Sequence, residues 1–306
     1  MTVSIIIPCY NQASFVGEAL ASALGQVGAD VDVIVVNDGS TDGSLEIVDG
    51  FAAMDPRVRV ISQPNRGLSA ARNAGLDAAR GAIVIFLDAD DRLRPGAAAA
   101  AVDCFSRHPG AMMTFGRCTL IDEHGQPMLT DLPVVERDFY AELLRRNFIW
   151  TPAMAAFRRQ LFATVGRFDP SVNASADYDL YLRVARTLPI AAHDRVVADY
   201  RQHGSNMSRN PVAMLEATLA ALASQRSYID AHSQFSTAYR EGRRAWRAFY
   251  GEQLVERFRS ALHAGRYRDA WRDAGHLLRL YPRGVCHHLV KKARLILRAG
   301  QPRYAA

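Results

Sequence analysis

The chain is poor in cysteine, in lysine and in long apolar runs. Its 306 residues hold four cysteines, Cys9, Cys104, Cys118 and Cys286. That number and their scatter exclude a disulfide scaffold and a zinc cluster. Lysine occurs only as Lys291 and Lys292; every other basic residue is arginine. No stretch approaches the roughly 20 apolar residues of a membrane span. The N-terminus, MTVSIIIPCYNQ, has no basic region, and its apolar run stops at Pro8, so no secretory signal is expected. With 21 glycines and 13 prolines, the chain is not collagen-like or of low complexity. The expectation is a cytoplasmic protein with reduced thiols.

What is present argues for a packed globular chain. Hydrophobic residues make up 49% and charged residues 22%, ample for a core and far from a disordered tail. The length allows about two domains. The net charge of +6 is unevenly placed. Residues 1–210 carry 20 basic and 24 acidic side chains, and residues 211–306 carry 17 and 7. The basic excess therefore belongs to the last third.

Apolar β-branched runs predict strands over Val3–Ile7, Val31–Val36, Val58–Ser62 and Ile83–Leu87. Helical spacing between them predicts helices over Phe15–Leu24, Ser44–Met54 and Ser69–Ala79. This rhythm indicates an α/β layer with a mostly parallel sheet. A helix from Gly96 to about Arg107 and a strand over Ala111–Gly116 follow. Residues 122–135 read as a loop or hairpin turning at His124-Gly125. Short helices are expected over Phe139–Arg146 and Arg158–Val165, a firmer one over Asp177–Thr187, and a strand within Ile190–Tyr200. Beyond Asn210-Pro211 only helical periodicity remains, near 212–231, 236–264, 267–281 and 285–299.

In an open α/β sheet, ligands bind at the carboxyl ends of the strands. Here those ends carry Pro8-Cys9-Tyr10-Asn11, Asn37-Asp38-Gly39-Ser40-Thr41-Asp42, Pro64-Asn65-Arg66-Gly67 and Asp88-Ala89-Asp90-Asp91. Asn-Asp-Gly-Ser alone is an ordinary turn, with Thr41-Asp42 placed to cap the next helix. The acids of Asp88–Asp91 are harder to explain structurally. Like charges this close repel, and burial adds desolvation. A divalent cation relieves both costs, and such oxygen ligands suit Mg2+ or Mn2+ shared with substrate phosphates.

Taken together, Val3–Asn11, the Val-Val-Asn-Asp-Gly-Ser-Thr-Asp42 run, Asn65–Gly75 and Phe86–Asp91 resemble family 2 glycosyltransferases in order and spacing. The resemblance covers about residues 1–205. It implies a GT-A catalytic domain over 1–210, with a donor half of about 1–110 and an acceptor half of about 111–210, followed by a basic helical region over 211–306. It implies a nucleotide-sugar donor, a divalent metal and inversion at the anomeric carbon. Carried over position by position, Pro8, Tyr10 and Asn11 line the base pocket, and Asp38 meets the nucleobase edge, which favours a uridine donor. Arg72 lies near the donor, or pairs with Asp88 or another strand-end acid. Asp88 contacts the ribose, beside Ala89, and Asp90 ligates the metal. Asp91 is left to cap the following turn.

The acceptor half carries Gly166-Arg-Phe-Asp-Pro170 and Ala176-Asp-Tyr-Asp-Leu-Tyr-Leu-Arg183, which resemble further family motifs. The match makes Asp177 the general base that takes the acceptor proton. Otherwise Asp177 is an acid favoured by the first turn of its helix. The family has Glu where this chain has Ala176, a departure expected to alter acceptor contacts. His203 is a candidate metal or diphosphate ligand. Trp150 is a candidate sugar-stacking ring or a core aromatic. The basic tail, with Trp246, Phe249, Tyr250, Phe258, Tyr267 and Trp271, is expected either to pack as a bundle or to contact anionic lipid at the inner membrane face. Nucleic acid is not an expected partner. The expected activity is transfer of a sugar, from a UDP-sugar by preference, to a hydroxyl of a surface glycan or lipid-linked saccharide. An inactive nucleotide-sugar binding or scaffold protein is the alternative, raised by Ala176. A nucleotidyltransferase would carry a Gly-rich basic loop after the first strand, and Pro8–Asn11 lacks it.

Overall fold

The computed structural model describes residues 1–129, 135–172, 174–204 and 206–286. The first half alternates β1 (Val3–Cys9), α1 (Val16–Leu24), β2 (Val31–Asn37), α2 (Ser44–Met54), β3 (Val58–Ser62), α3 (Leu68–Ala78) and β4 (Ile83–Phe86). Then come β5 (Arg92–Leu93), α4 (Ala97–Arg107), β6 (Met113–Ile121), β7 (Pro127–Leu129), α5 (Phe139–Arg145), β8 (Ala155–Arg158), α6 (Leu161–Val165), α7 (Ala176–Thr187) and β9 (Ile190–Arg201). The remaining helices are α8 (Pro211–Ala223), α9 (Arg226–Ala231), α10 (Ser236–His263) and α11 (Tyr267–Leu280). The predicted segments at 130–134 and from 287 onward lie outside the described residues.

The sheet runs β3-β2-β1-β4-β8-β6-β9-β5, with β7 added on β6. Strands β3, β2, β1 and β4 are parallel. β8 is antiparallel to β4 and β6, and β9 runs parallel to β6. Every residue of β1 and β4 is buried. Each fully buried Ile or Val contributes about 1.5–3 kcal/mol, which places these near-continuous apolar runs in the middle of the sheet. Their register brings the strand ends side by side. Asp38 N–H donates to the Cys9 carbonyl at 2.8 Å, Gln63 N–H to Asn37 at 3.0 Å and Leu87 N–H to Ile6 at 2.9 Å.

Two strands were not read from sequence. Ala155–Arg158 forms β8 because β4 and β6, both distant in sequence, hold it between them. An Ala-rich run of four residues has no periodicity to announce that. The helix expected from Arg158 shrinks to α6. β5 is two residues long and pairs with β9. β6 also runs past Gly116 to Ile121, with its register against β9 shifting around that glycine. A Cβ at Gly116 would meet the His193 ring at 2.4 Å.

The buried cluster does not stop where the composition changes. It continues through Leu222, Ile229, Ala238 and Tyr239. Tyr140 of α5 packs edge-on against Phe235 with ring centroids 4.9 Å apart. A separate small cluster joins Leu254, Val255 and Leu277, where α10 meets α11. Gly242 is the point of closest approach between α10 and α5, because a Cβ there would lie 1.8 Å from the Leu144 carbonyl oxygen. Gly242→Ala must therefore lift α10 from α5. Overpacking of this kind costs about 1–3 kcal/mol, and a urea denaturation midpoint lowered at unchanged slope is the expected result.

Candidate active site

An open cleft of about 1390 Å³ lies over the carboxyl ends of β1, β2 and β4. It extends past the N-terminus of α7 to the side of α10. Pro8, Tyr10, Asn11, Asp38, Arg72, Asp88, Ala89, Asp90, Trp150 and Asp177 all line it. Two sequence candidates do not. His203 lies just behind Asp90, and Ala176 is packed in the core at 1% exposure. Ala176 must be corrected as an acceptor contact: its Cβ faces the interior, and only its neighbour Asp177 reaches the cleft.

At the donor end, turn chemistry sets the geometry. Asn11 adopts a left-handed backbone with φ 52°, which Asn tolerates better than most residues. Its side-chain oxygen accepts the Thr41 N–H at 2.8 Å, and its own N–H donates to Ser40 Oγ at 3.1 Å. The loops after β1 and β2 are thereby tied together. Gly39, at φ 75°, leaves room for the next loop: a Cβ would lie 2.8 Å from Asn65 N. Asp38 is buried and organises that loop. One carboxylate oxygen accepts Gln63 Nε2 at 2.7 Å and Arg66 N at 2.9 Å, and the other accepts Gly67 N at 2.8 Å. Asp42 accepts the Ser44 N–H at 3.0 Å in the first turn of α2, as its position suggested, and also Ala13 N–H at 3.1 Å.

The acids of Asp88–Asp91 point in different directions. Asp88 pairs with Arg72 NH2 at 2.7 Å, the strand-end salt bridge that the sequence left open. Burial raises the Asp88 carboxyl above the usual carboxylate value; Arg72 opposes the rise and Asp90 adds to it. Arg72 is itself buried, over the Phe168 ring at 5.2 Å. Burial disfavours its charge, but Asp88 and Asp177 outweigh that and hold it protonated. Asp90 accepts or shares a proton with His203 Nε2 at 2.9 Å. Asp91 turns inward instead of capping the next turn. It accepts the Arg201 N–H at 2.9 Å and the Thr151 hydroxyl. Burial, with Asp90 and Asp88 adding, raises its carboxyl well above the ordinary value.

Arg201 is the residue that sequence reading missed most completely. At 1% exposure it donates to the Asp90 carbonyl at 2.9 Å, the Glu123 carbonyl at 2.9 Å and the Glu18 carboxylate at 2.7 Å. Its guanidinium also lies 5.0 Å from the Phe15 ring centroid. One side chain thus locks α1, the Asp90 loop and the β6–β7 turn around the His203 strand end. Only the fold shows it, since its partners are up to 183 positions away.

Asp177 stands at the N-terminus of α7 and accepts the Tyr178 N–H at 2.8 Å. Burial raises its carboxyl above the usual value, against the pull of Arg72. Tyr181, one turn later, buries a hydroxyl with no hydrogen-bond partner, and Asp177 adds to the upward shift that burial imposes on it. Trp150 is 37% exposed on the cleft wall and is not a core aromatic. Beyond Asp177 the wall is completed by Trp246, Phe249 and Tyr250 of α10. Their i, i+3, i+4 spacing was visible in the sequence, but not what the shared face looks onto.

Among the described residues, no three His, Cys, Asp or Glu side chains converge as a metal cage. Asp90 and His203 nonetheless present one carboxylate oxygen and one imidazole nitrogen close together. That donor set suits Mn2+ or Mg2+ that takes most of its other ligands from phosphates and water.

Comparison with known proteins decides the family. The family model for glycosyl transferase family 2 matches residues 4–166. The chain belongs to that family. Chondroitin synthase of Escherichia coli is 31% identical over 212 residues, covering 67% of this family 2 chain and 30% of the synthase. EpsJ, an uncharacterized glycosyltransferase of Bacillus subtilis, is 33% identical over 223 residues, covering 68% and 63%. This chain therefore spans less than two thirds of either relative. Among solved structures, S. aureus TarS in complex with UDP-GlcNAc superposes with a TM-score of 0.57 at 20% identity, over 73% of this chain and 66% of that one. The mannosyltransferase PcManGT of Pyrobaculum calidifontis, in complex with GDP-Man and Mn2+, gives 0.56 at 20% identity, over 90% and 84%. The GT-A fold expected from the motifs is thus the fold of this family 2 chain, with a helical region following it. Asp177 and His203 lie beyond the residues that the family model matches.

Proposed function

We propose that the chain is an inverting glycosyltransferase that moves a sugar from a nucleotide diphosphate donor, a UDP-sugar by preference, to a saccharide hydroxyl. The observation that carries this reading is the convergence of Asp88, Asp90 and Asp177 on one cleft, with Arg72 feeling both Asp88 and Asp177. Tyr10, 47% exposed, offers a ring for the nucleobase. Asp38 and the backbone it orders offer the polar edge. Asp88 is placed to receive the ribose hydroxyls while Arg72 holds its charge. TarS with UDP-GlcNAc and PcManGT with GDP-Man and Mn2+ support a nucleotide-sugar donor on this fold.

Asp177 is assigned the proton transfer. As the acceptor oxygen attacks C1, Asp177 accepts its proton from the face opposite the departing diphosphate. Arg72 and Asp88 fix the electrostatics on the donor side of that line. Asp90 and His203 would hold a divalent metal, Mn2+ or Mg2+, which when bound supplies positive charge for the leaving diphosphate. An inactive scaffold gains no support from Ala176, because that position does not face the cleft.

The finer expectations on the acceptor and location extend this reading. A surface-glycan or lipid-linked saccharide is the proposed acceptor class. No described helix is long and apolar enough to cross a membrane. On α11, however, Tyr267, Trp271 and Leu278 are 65%, 79% and 64% exposed, with Arg268 and Arg272 on the same helix. This pattern supports peripheral contact with anionic lipid at the inner membrane face. Salt-sensitive sedimentation with phosphatidylglycerol vesicles tests it, and equal binding to neutral vesicles at high salt would refute it.

The function itself is tested by a screen that reads release of UDP, GDP and dTDP from a panel of nucleotide sugars. Release of UDP above the others is expected, and no release from any donor overturns the reading. Asp90→Ala and His203→Ala should each weaken UDP binding in Mn2+ at least about tenfold, as loss of a metal ligand or its support does. Calorimetry with and without Mn2+ measures this; unchanged Mn2+-dependent binding would refute the ligand assignment.

A further inference from the structure

The aromatic face of α10 has no part in donor chemistry, yet it forms one end of the same cleft. Trp246 stacks on Tyr250 with centroids 5.6 Å apart and planes at 12°. Phe249 stands edge-on to both, at 6.0 and 4.9 Å. Tyr178, the residue after Asp177, comes within 6.1 Å of Trp246. Tyr250 lies near enough to Asp177 that the carboxylate adds, after burial and Tyr200, to the upward pull on its phenol. The face is therefore continuous with the proposed base.

The face is also partly uncovered, although Trp246 is half-buried and Tyr250 is 7% exposed. Phe249 is 57% exposed. It and Trp150 both line the cleft, whereas isolated exposed apolar residues need no explanation. The same cleft is also lined by Arg146, Asn147, Arg209 and Gln253, beside apolar Phe148, Met207 and Met214. A pyranose has the matching chemistry, with an apolar C–H face and a rim of hydroxyls. An alkyl chain does not, because the charged and amide groups would lose water without gaining partners. Size agrees as well. Small-ligand pockets hold about 300–1,000 Å³, and this cleft, at about 1390 Å³, has room for a donor and a further sugar.

We infer that the Trp246–Phe249–Tyr250 face of α10, with Trp150, is the platform on which a saccharide acceptor stacks so that its hydroxyl meets Asp177. The inference rests on the reading of Asp177 as base, and it specifies the acceptor as a pyranose saccharide recognised through a ring face. Gly242, one turn before Trp246, makes the platform rigid by seating α10 directly on the α5 backbone. The region assigned from sequence to bundle packing or lipid contact thus supplies a wall of the reaction cleft.

The test titrates the full chain, with UDP and Mn2+ present, with gluco-, N-acetylgluco- and manno-configured mono- to tetrasaccharides. Tryptophan fluorescence and saturation-transfer NMR read the binding. At least one saccharide should bind saturably through its ring protons, and Phe249→Ala should weaken it about tenfold or more, that is by about 1.4 kcal/mol or more. Phe249→Tyr should restore binding, and UDP calorimetry checks that the variants are folded. No saccharide response in the wild-type chain, equal affinity in Phe249→Ala, or binding of decanoate in place of sugars would each overturn the platform. Failure of the donor reading is distinguishable: UDP then does not bind, while the saccharide titration is read independently without UDP.

Discussion

Asp177→Asn should lower sugar transfer about 10²- to 10⁴-fold, the usual worth of a positioned general base, and leave the affinity for UDP within twofold. Asn keeps the shape and can still accept the Tyr178 N–H, so the start of α7 survives. What it cannot do is take a proton from the acceptor. The wild-type pH profile should carry the same information. Burial raises the Asp177 carboxyl above its ordinary value, so the base becomes protonated, and transfer falls, at a pH above the usual carboxylate range. Activity is present above that value and lost as pH drops through it. Asp88 is raised too, so the acid limb belongs to the interacting set and not to one residue. Stopped assays of transfer and calorimetry of UDP provide the two readings. Transfer near the wild-type rate in Asp177→Asn would end the base assignment.

The second large effect is expected at Arg201. Arg201→Met keeps much of the aliphatic volume and removes hydrogen bonds to Asp90, Glu123 and Glu18. Two carbonyls and a carboxylate lose their partner. Bonds involving a charged group are worth about 1.5–3 kcal/mol each, but Glu18 is half exposed and recovers water, so a net loss of about 3 kcal/mol is the reasonable sum. Calorimetric melting should show a fall of roughly 5 °C. The same change frees the Asp90 loop, so Mn2+-dependent UDP binding should weaken together with stability. Arg201→Lys should recover only part of either, since one ammonium cannot reach three divergent acceptors. A variant with unchanged melting temperature and UDP affinity would show that the network is ornamental.

These two residues mark the limits of what was legible. Asp177 was legible as a candidate because a motif match singled it out, against the plainer reading of an acid in the first turn of a helix, and it does line the cleft. The strands and helices through Ile83–Phe86 were legible for a local reason: each carries its own periodicity. Arg201 had no such local mark. Its meaning comes from partners on α1, the Asp90 loop and the β6–β7 turn. Asp91 was misread for the opposite cause. It was read as a cap for the following turn, but one step along the turn from Asp90 its side chain faces inward to the Arg201 N–H and the Thr151 hydroxyl. β8 escaped because four residues, Ala-Ala-Phe-Arg, are too few to carry a period, and only its neighbours choose between helix and strand. Ala176 was given an acceptor role because the resembled family has Glu there, but in this fold the position is packed in the core. The face of α10 was legible as a face, while its view onto the cleft depended on how Gly242 lets two helices meet.

The unbroken buried cluster from the sheet into α10 has a consequence for how such a protein can change. Exchange by recombination is easiest at joints where little is shared. Here a crossover at the compositional border would part Tyr140 from Phe235 and strand Leu222, Ile229 and Tyr239 without their packing partners. Novelty in the cleft is therefore open to point substitution more than to shuffling. It is most open at Phe249, which touches the cleft with most of its ring in water, and least open at Tyr250, whose buried ring serves the fold as well.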